Sequence, residues 1–185
     1  MNKIIIVIDM QNDFVTGSLG TSEAVFVTEK IKQKLINEPL QTQIIFTRDT
    51  HQDNYLNTAE GKKLPIEHCI EGTPGWCIID PLRTAAKGKL VTIIDKPSFG
   101  YKKWDSIIPR FLNNTFKDEI EIVGVCTDIC VISNALILKA LYPELKISID
   151  ASCCAGTTPE MHKKALDVMK IGRAVQQECR DRSRM

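Results

Sequence analysis

Residues 119–131 read EIEIVGVCTDICV, and the hydrophobic period changes halfway along this stretch. The part up to Val125 is rich in apolar, β-branched residues, which is typical of a buried β-strand. Beyond Asp128 the apolar residues are dense enough for a helix that is buried on most sides, and Pro143 marks its end. The stretch therefore predicts a strand that passes directly into a helix.

Cys130 falls in the first turn of this predicted helix, and Thr127 and Asp128 are expected to cap the free amide groups there. The positive end of the helix macrodipole lowers the pKa of a thiol from about 8.5 towards neutrality. Cys130 would then be available as a thiolate nucleophile. The alternative is a buried core cysteine without a chemical role.

The alternation of strand and helix continues outward along the chain. It predicts four more strands, over residues 3–10, 43–49, 90–96 and 146–150. It also predicts helices over residues 23–37, 78–86, 104–112 and 158–171. Because the strands are continuous apolar runs, both of their faces should be buried. We therefore predict an α/β fold of three layers, α/β/α, around a mostly parallel, doubly wound sheet of five or six strands.

The length and the charge of the chain limit the classes of protein to which it could belong. The 185 residues suit one domain, residues 1–185, with a tail from about residue 173 that is expected to form a short edge strand and a disordered end. Lysine and arginine number 24 against 23 aspartates and glutamates, which does not favour nucleic acid or an anionic membrane surface as a partner. The chain shows neither a signal peptide nor an apolar run of membrane-spanning length. With 7 cysteines, these features predict a reducing, cytoplasmic location.

Ionisable residues stand at or just beyond the carboxyl ends of four predicted strands: Asp9, Asp49, Lys96 and Cys130. Ligands of parallel sheets bind beyond these ends, so the fold could gather all four residues. Lys96 could balance the charge of a Cys130 thiolate, and Asp9 could accept and return its proton. Backbone N–H groups at the turn between strand and helix could stabilise an oxyanion. The set predicts nucleophilic attack on a carbonyl group.

Residues 50–75 form the one long irregular segment, which is longer than a structural connection needs to be. Four residues in or beside it could bind a metal ion, namely Asp49, His51, Glu60 and His68, with Asp53 as a substitute for Glu60. Oxygen and nitrogen ligands of this kind suit zinc, manganese or iron better than calcium. By spacing alone, two loop histidines without any metal are the more common case.

Three motifs together resemble those of the isochorismatase-like cysteine hydrolases and, within that superfamily, of the nicotinamidase-related branch. They are I-D-M-Q-N-D-F around Asp9, D-K-P-x-F around Lys96 and G-V-C-T-D-I-C-V around Cys130. The resemblance spans almost the whole chain and implies that these three residues form a catalytic triad. It also implies a cis peptide bond between Val125 and Cys126, which would turn the Cys126 amide towards the oxyanion.

The resemblance extends to the metal and the substrate. Nicotinamidases bind a divalent metal ion through an Asp-x-His pair and a later histidine before a cysteine, which Asp49, His51 and His68 match. We assign Glu60 as the remaining ligand of the metal ion. Zinc is the first candidate for the ion, with manganese or iron as alternatives. Phe14 matches a family aromatic residue beside the substrate. The resemblance implies hydrolysis of a small carboxamide through a thioester, with nicotinamide as the first candidate substrate. It also implies that the protein assembles as a homo-oligomer.

Other functions remain open at this point. A related cysteine hydrolase could act on another small amide or on an isochorismate-like vinyl ether, although the metal ligands argue against the latter. A non-catalytic binding or scaffold protein could keep the same fold, but it would not need the intact triad. A dinucleotide-binding protein would carry G-x-G-x-x-G after its first strand, and this chain does not.

Overall fold

The central sheet has five strands in the computed structural model, which describes residues 2–112 and 118–171. The strands are β1 Lys3–Ile8, β2 Gln43–Asp49, β3 Leu90–Lys96, β4 Glu119–Val125 and β5 Lys146–Ala155. Their order is β3-β2-β1-β4-β5, and every neighbouring pair is parallel. The predicted doubly wound α/β fold is confirmed. The strand expected in the tail beyond residue 173 lies outside the described residues.

Helices cover both faces of the sheet. They are α1 Asn12–Val15, α2 Ser22–Asn37, α3 Asp80–Ala85, α4 Trp104–Ile107, α5 Ile132–Leu141 and α6 Pro159–Ile171. Shorter 3₁₀ turns span Tyr55–Asn57 and Ile108–Arg110, and a π-helical turn spans Thr127–Val131. Among the described helices, none combines the length and the apolar character needed to cross a membrane.

Alternate residues of β1 point into two separate cores. Ile5 and Val7 pack with side chains of α1, α2 and α3, whereas Ile4, Ile6 and Ile8 pack with α4, α5 and α6. All five side chains are buried. This two-sided burial explains why the strand sequence is continuously apolar and does not alternate.

Several element boundaries differ from the prediction. β1 ends at Ile8, two residues early, because Asp9 adopts a positive φ of 47°. β5 continues to Ala155, beyond the predicted end at residue 150. The predicted helix over residues 104–112 is one α-helical turn followed by a 3₁₀ turn, because Pro109 has no N–H to donate within a longer helix.

Candidate active site

The carboxyl ends of the strands bring the predicted reactive residues together around one ammonium group. Lys96 Nζ lies 2.7 Å from Asp9 Oδ2, 3.2 Å from Asp49 Oδ1 and 3.6 Å from Cys130 Sγ. The Lys96 and Asp9 side chains have no exposed surface, and Asp49 and Cys130 are also buried. An ammonium group has three hydrogens, so each of these partners can receive one.

Thr47 fixes the orientation of Asp9. Its hydroxyl donates to Asp9 Oδ1 at 2.6 Å, and the Asp9 backbone N–H donates to Thr47 Oγ1 at 3.1 Å. Thr47 lies two residues before Asp49 on β2, so the two side chains leave the same face of the strand. Thr47 was not among the residues predicted from the sequence, although its place in the alternation of β2 was the available signal.

The charges of this buried cluster shift its pKa values in different directions. Burial favours the neutral amine of Lys96, but the negative charges of nearby groups, chiefly the Asp9 and Asp49 carboxylates, outweigh it and raise the lysine's pKa. Burial raises the pKa of Asp9, and the nearby Lys96 offsets this only in part. A carboxyl group with a raised pKa is better suited than an ordinary aspartate to accept and return a proton near neutral pH.

The predicted lowering of the Cys130 pKa is wrong. Burial raises the pKa of this thiol, the charge of Asp9 adds to the increase, and Lys96 opposes it without reversing it. Two effects raise the pKa of the thiol: the sulfur loses its solvent, and the Asp9 carboxylate accepts a hydrogen bond from the S–H group. The positive end of the helix dipole does not offset them. Cys130 is therefore a neutral thiol at rest, with Asp9 placed to receive its proton.

The predicted capping by Thr127 and Asp128 is also wrong. Cys126 occupies the cap position of the π-helical turn, so both residues lie inside the turn, and no side chain caps it. The Thr127 hydroxyl forms a hydrogen bond of 2.8 Å with His162 Nδ1. The Thr157 N–H donates to Asp128 Oδ1, also at 2.8 Å. These contacts connect the turn that carries Cys130 to α6 and to the segment between β5 and α6.

The chain enters this turn through a cis peptide bond between Val125 and Cys126. Gly124, just before it, has a φ of 118° and packs against the backbone of Ile8, where a Cβ atom would overlap with Ile8 O. Glycine is therefore required where β4 passes closest to the end of β1. The close approach places the Cys130 turn beside Asp9.

The four predicted metal ligands converge next to Lys96. Asp49, His51, Glu60 and His68 each offer one ligand atom, and these atoms all lie within 4.8 Å of one another. His51 Nε2 is 3.1 Å from Asp49 Oδ2, and His68 Nε2 is 3.8 Å from the same oxygen. Tetrahedral zinc with bonds of about 2.1 Å separates its ligand atoms by about 3.4 Å, so this donor set fits such an ion. Asp53 is exposed and outside the group.

Hydrogen bonds hold these ligands in place. His68 Nδ1 donates to the carbonyl oxygen of Ile66 at 2.8 Å, which leaves the Nε2 lone pair for a metal. The buried Gln11 amide accepts from the Asp49 N–H at 2.7 Å and donates to the Asp49 carbonyl at 2.9 Å. Asp13 Oδ2 accepts from the Cys69 N–H, next to His68, at 2.8 Å. Gln11 and Asp13 belong to the motif around Asp9, but their supporting role was not predicted.

Aromatic rings surround the two histidines. The Tyr55 ring lies 4.6 Å from that of His51 and 4.9 Å from that of His68, measured between centroids. The half-buried Phe14 meets His68 edge-on at 5.5 Å. Phe14 is thus beside the metal-ligand group, on the border between the hydrophobic core and the site.

Comparisons with known proteins agree with this geometry. A family model, the isochorismatase domain, matches residues 3–178. The chain is 25% identical over 170 residues to a nicotinamidase/pyrazinamidase of Mycobacterium tuberculosis, covering 84% of this chain and 90% of that protein.

Solved structures show the same fold. The nicotinamidase/pyrazinamidase PncA of Bacillus subtilis has a TM-score of 0.79 at 24% identity, covering 95% of this chain and 98% of the other. The pyrazinamidase of Pyrococcus horikoshii in complex with zinc has a TM-score of 0.74 at 24% identity, with the same coverages of 95% and 98%. The sequence motifs and the arrangement of the five strands both agree with the family match. This chain belongs to the isochorismatase family.

Proposed function

We propose that this protein is a cysteine amidohydrolase that converts nicotinamide to nicotinate and ammonia. The observation that carries the proposal is the contact of one buried ammonium group, on Lys96, with Asp9, Cys130 and Asp49. It joins a nucleophile and its base to a group of metal ligands. Similarity to proteins named nicotinamidase supports the choice of substrate.

Acylation uses the resting protonation states of the site. Asp9 accepts the Cys130 proton as the sulfur attacks the amide carbon, and Lys96 stabilises the sulfur's developing negative charge. Backbone N–H groups at Cys126 and Cys130 are the candidate donors to the oxyanion. When the C–N bond breaks, Asp9 returns the proton to the leaving nitrogen, and ammonia and a thioester result.

Deacylation repeats the same proton transfers with water. Asp9 accepts a proton as water attacks the thioester carbon, and it returns this proton to the Cys130 sulfur when the C–S bond breaks. The products are the carboxylic acid and the resting thiol. The raised pKa of Asp9 suits both directions of transfer, because the group gains and loses a proton twice in each turnover.

We further propose that Asp49, His51, Glu60 and His68 hold a divalent transition metal ion, with zinc as the first candidate and manganese or iron as alternatives. When bound, such an ion supplies a Lewis acid that can anchor the ring nitrogen of nicotinamide. Phe14 would contact the substrate ring, since it lies against His68. The zinc in the Pyrococcus horikoshii pyrazinamidase supports this assignment.

The location and domain organisation of the protein complete the proposal. We propose that residues 1–185 act as a single domain in the cytoplasm. The described cysteines are all free thiols, as expected in a reducing compartment.

Ammonia release from nicotinamide tests the substrate. We expect the zinc-loaded protein to hydrolyse nicotinamide and to hydrolyse benzamide, which lacks the ring nitrogen, much more slowly. The Cys130→Ala variant should show no turnover above background. Equal rates with the two amides would contradict the role of the ring nitrogen, and release from neither would contradict the proposed activity.

Metal content tests the ligands independently of turnover. We expect close to one divalent metal ion per chain after purification, and its loss in the His51→Ala and His68→Ala variants. The third histidine provides the matched control, since His162→Ala should retain the metal. Retention of the metal by all three variants would refute the assigned site.

A further inference from the structure

A buried asparagine near the start of α5 has every hydrogen-bonding group of its side chain occupied. Asn134 has no exposed surface. Its Oδ1 atom accepts from the Tyr101 N–H and from the Trp104 indole N–H, both at 2.9 Å. Its Nδ2 atom donates to the Phe99 carbonyl oxygen at 3.0 Å and to the Cys130 carbonyl oxygen at 2.8 Å. A side-chain amide accepts two hydrogen bonds and donates two, so all four are used.

These four bonds join two segments that the sheet keeps apart. Three of them reach residues 97–104, which follow Lys96 at the end of β3, and the fourth reaches Cys130. In the order β3-β2-β1-β4-β5, two strands lie between β3 and β4, so about 14 Å separates these two strands. Backbone pairing between β3 and β4 therefore cannot set the position of Cys130 relative to Lys96. Asn134 connects the two sides beyond the strand ends.

The contact that depends on such a connection is the one between Lys96 Nζ and Cys130 Sγ, at 3.6 Å. The ammonium group has shorter contacts with Asp9 at 2.7 Å and with Asp49 at 3.2 Å. The Lys96 carbonyl oxygen also accepts from the Thr50 N–H at 3.0 Å. Lys96 is thus held from the ends of β1 and β2, and the turn that carries Cys130 is the partner whose position has to be set.

Other side-chain contacts of this turn lead away from the ammonium group. Thr127 and Asp128 form hydrogen bonds with α6 and with the segment just before it. Ser133 donates to the Ile129 carbonyl oxygen at 2.6 Å and so remains within its own helical segment. Asn134 is directed the other way, towards the residues that follow β3.

We propose that Asn134 is a positioning residue, which keeps the Cys130 sulfur next to the Lys96 ammonium group by fastening the nucleophile's turn to residues 97–104. This role deepens the proposed function and rests on it, since Lys96 stabilises the developing charge of the sulfur during acylation. Asn134 acts through the contact between Lys96 and Cys130, and its own hydrogen bonds involve no reacting atom.

Asn134→Ser breaks the connection at one end. A serine hydroxyl can still donate to the carbonyl oxygen four residues earlier, as that of Ser133 does, but it is one atom too short to reach residues 97–104. Alkylation of Cys130 by iodoacetamide reports the contact, because Lys96 lowers the pKa of this thiol. At neutral pH we expect alkylation to be at least about threefold slower than in the wild-type protein. An unchanged rate would overturn the proposal.

The matched control is Ser133→Ala, which removes a side-chain hydrogen bond from the same helical segment but leaves Asn134 in place. The Ile129 carbonyl oxygen keeps the Ile132 N–H as a donor in this variant. We expect Cys130 to be alkylated at the wild-type rate. Equal slowing in Ser133→Ala and Asn134→Ser would overturn the proposal, because any loosening of the helix start would then have the same effect.

A double-mutant cycle shows whether Asn134 acts through Lys96. In Lys96→Met the contact with the sulfur is already lost, so adding Asn134→Ser should change the alkylation rate by less than about twofold. The same slowing factor in both backgrounds would overturn the proposal, since Asn134 would then act on the turn alone. Alkylation requires no substrate, so the outcome is separate from whether the protein hydrolyses nicotinamide.

A second variant approaches the same amide from the other side, in case Asn134→Ser does not fold. Trp104→Phe removes the indole donor to Asn134 Oδ1 and keeps an aromatic ring in the core. We expect it to slow alkylation of Cys130 by about twofold, because one of the four bonds is lost. Urea denaturation gives the folded fraction of each variant. If Asn134→Ser is unfolded, an unchanged rate in Trp104→Phe overturns the proposal by itself.

Discussion

The two ends of the sheet both bury lysines against carboxylates, but they do so to different degrees. At the carboxyl end, Lys96 and Asp9 have no exposed side-chain surface. At the opposite end, Glu121 bridges Lys34 at 2.9 Å and Lys3 at 3.0 Å, and the two lysine side chains remain 18% and 25% exposed. Lys3 also pairs with Glu38, and Lys34 with Asp150. We call the group Lys3, Lys34, Glu38, Glu121 and Asp150 the basal ion network.

The difference in burial changes what the ion pairs do. In the basal ion network, burial acts against the charges, but the partners outweigh it and raise the pKa of Lys34 while lowering that of Asp150. Each group is thereby held in its ordinary charged form. At the site, burial prevails for Asp9 and Cys130 and raises both pKa values. The same residue types are thus held in their ordinary charged forms in the basal ion network, whereas at the site burial shifts Asp9 and Cys130 towards their neutral forms.

The largest effect is expected from removing the carboxylate of the site. Asp9→Asn should lower the turnover of nicotinamide by about 10²–10⁴-fold, because the carboxamide cannot accept the Cys130 proton. Asp9→Asn leaves Lys96 with Asp49 as its remaining carboxylate partner, so urea denaturation of the variant is needed to express turnover per folded molecule. Steady-state ammonia release measures the loss. The matched control is Asp150→Asn in the basal ion network, which should keep wild-type turnover. Equal turnover in Asp9→Asn and the wild-type protein would remove Asp9 from the mechanism.

A comparable change in the basal ion network should affect stability instead. Glu121→Gln leaves two lysines without their shared buried carboxylate, and we expect the free energy of unfolding to fall by about 3 kcal/mol. Urea denaturation measures this change, and turnover per folded molecule should be unaffected. Glu160→Gln is the control, because its pair with Lys164 is 76% and 63% exposed and should contribute well under about 1 kcal/mol. Equal losses in the two variants would contradict the distinction between buried and exposed pairs.

The sequence predicted the sheet well because of how its strands are buried. The bounds of β2, β3 and β4 coincide with those predicted. Continuous β-branched runs between polar turns are compatible with few structures other than buried strands. Parallel strands place their carboxyl ends at the same edge of the sheet, so Asp9, Asp49 and Lys96 could be grouped from the sequence alone. The short helix α1 was missed, because four residues are too few to show a helical period.

Other features of the site depend on distances that a sequence does not contain. The direction of the Cys130 pKa shift is set by burial and by the position of Asp9, and neither follows from a helix start. Gln11 and Thr47 act through hydrogen bonds to residues 38 positions away. The metal-ligand group was inferred mainly from family resemblance, because the spacing of Asp49, Glu60 and His68 allows many loop conformations. Only the folded loop distinguishes Glu60 from Asp53.

A smaller and less intuitive effect is expected at Cys130 itself. The charge and hydrogen bond of Asp9 raise the pKa of the thiol, whereas Lys96 lowers it. Asp9→Asn should therefore increase the rate at which iodoacetamide alkylates Cys130 at neutral pH, although the variant has lost turnover. Lys96→Met should decrease that rate. Mass spectrometry of the Cys130 peptide measures both changes, with Cys130→Ala as the blank. Slower alkylation in Asp9→Asn would show that the carboxylate activates the resting thiol.

The smallest effect concerns the pH dependence of the basal ion network. Burial favours the neutral form of Asp150, but its contacts with Lys34 and Ser152 outweigh this and lower its pKa. A carboxyl group whose pKa is lower in the folded state stabilises the protein above its ordinary value of about 3.9, and this contribution is lost as the pH falls towards the folded-state value.

The Asp150→Asn variant isolates this contribution. At pH 7 we expect its free energy of unfolding to be about 1 kcal/mol lower than that of the wild-type protein. The loss is small because the Asp150 side chain is 19% exposed, so solvent partly screens its pair with Lys34. The difference should shrink when urea denaturation is repeated at about pH 3, where the wild-type carboxylate begins to be protonated. A difference that stays constant between the two pH values would mean that Asp150 contributes through packing and hydrogen bonds, with no part played by its charge. The carboxylates of Glu121 and Glu38 would then be the ones that stabilise the basal ion network through charge.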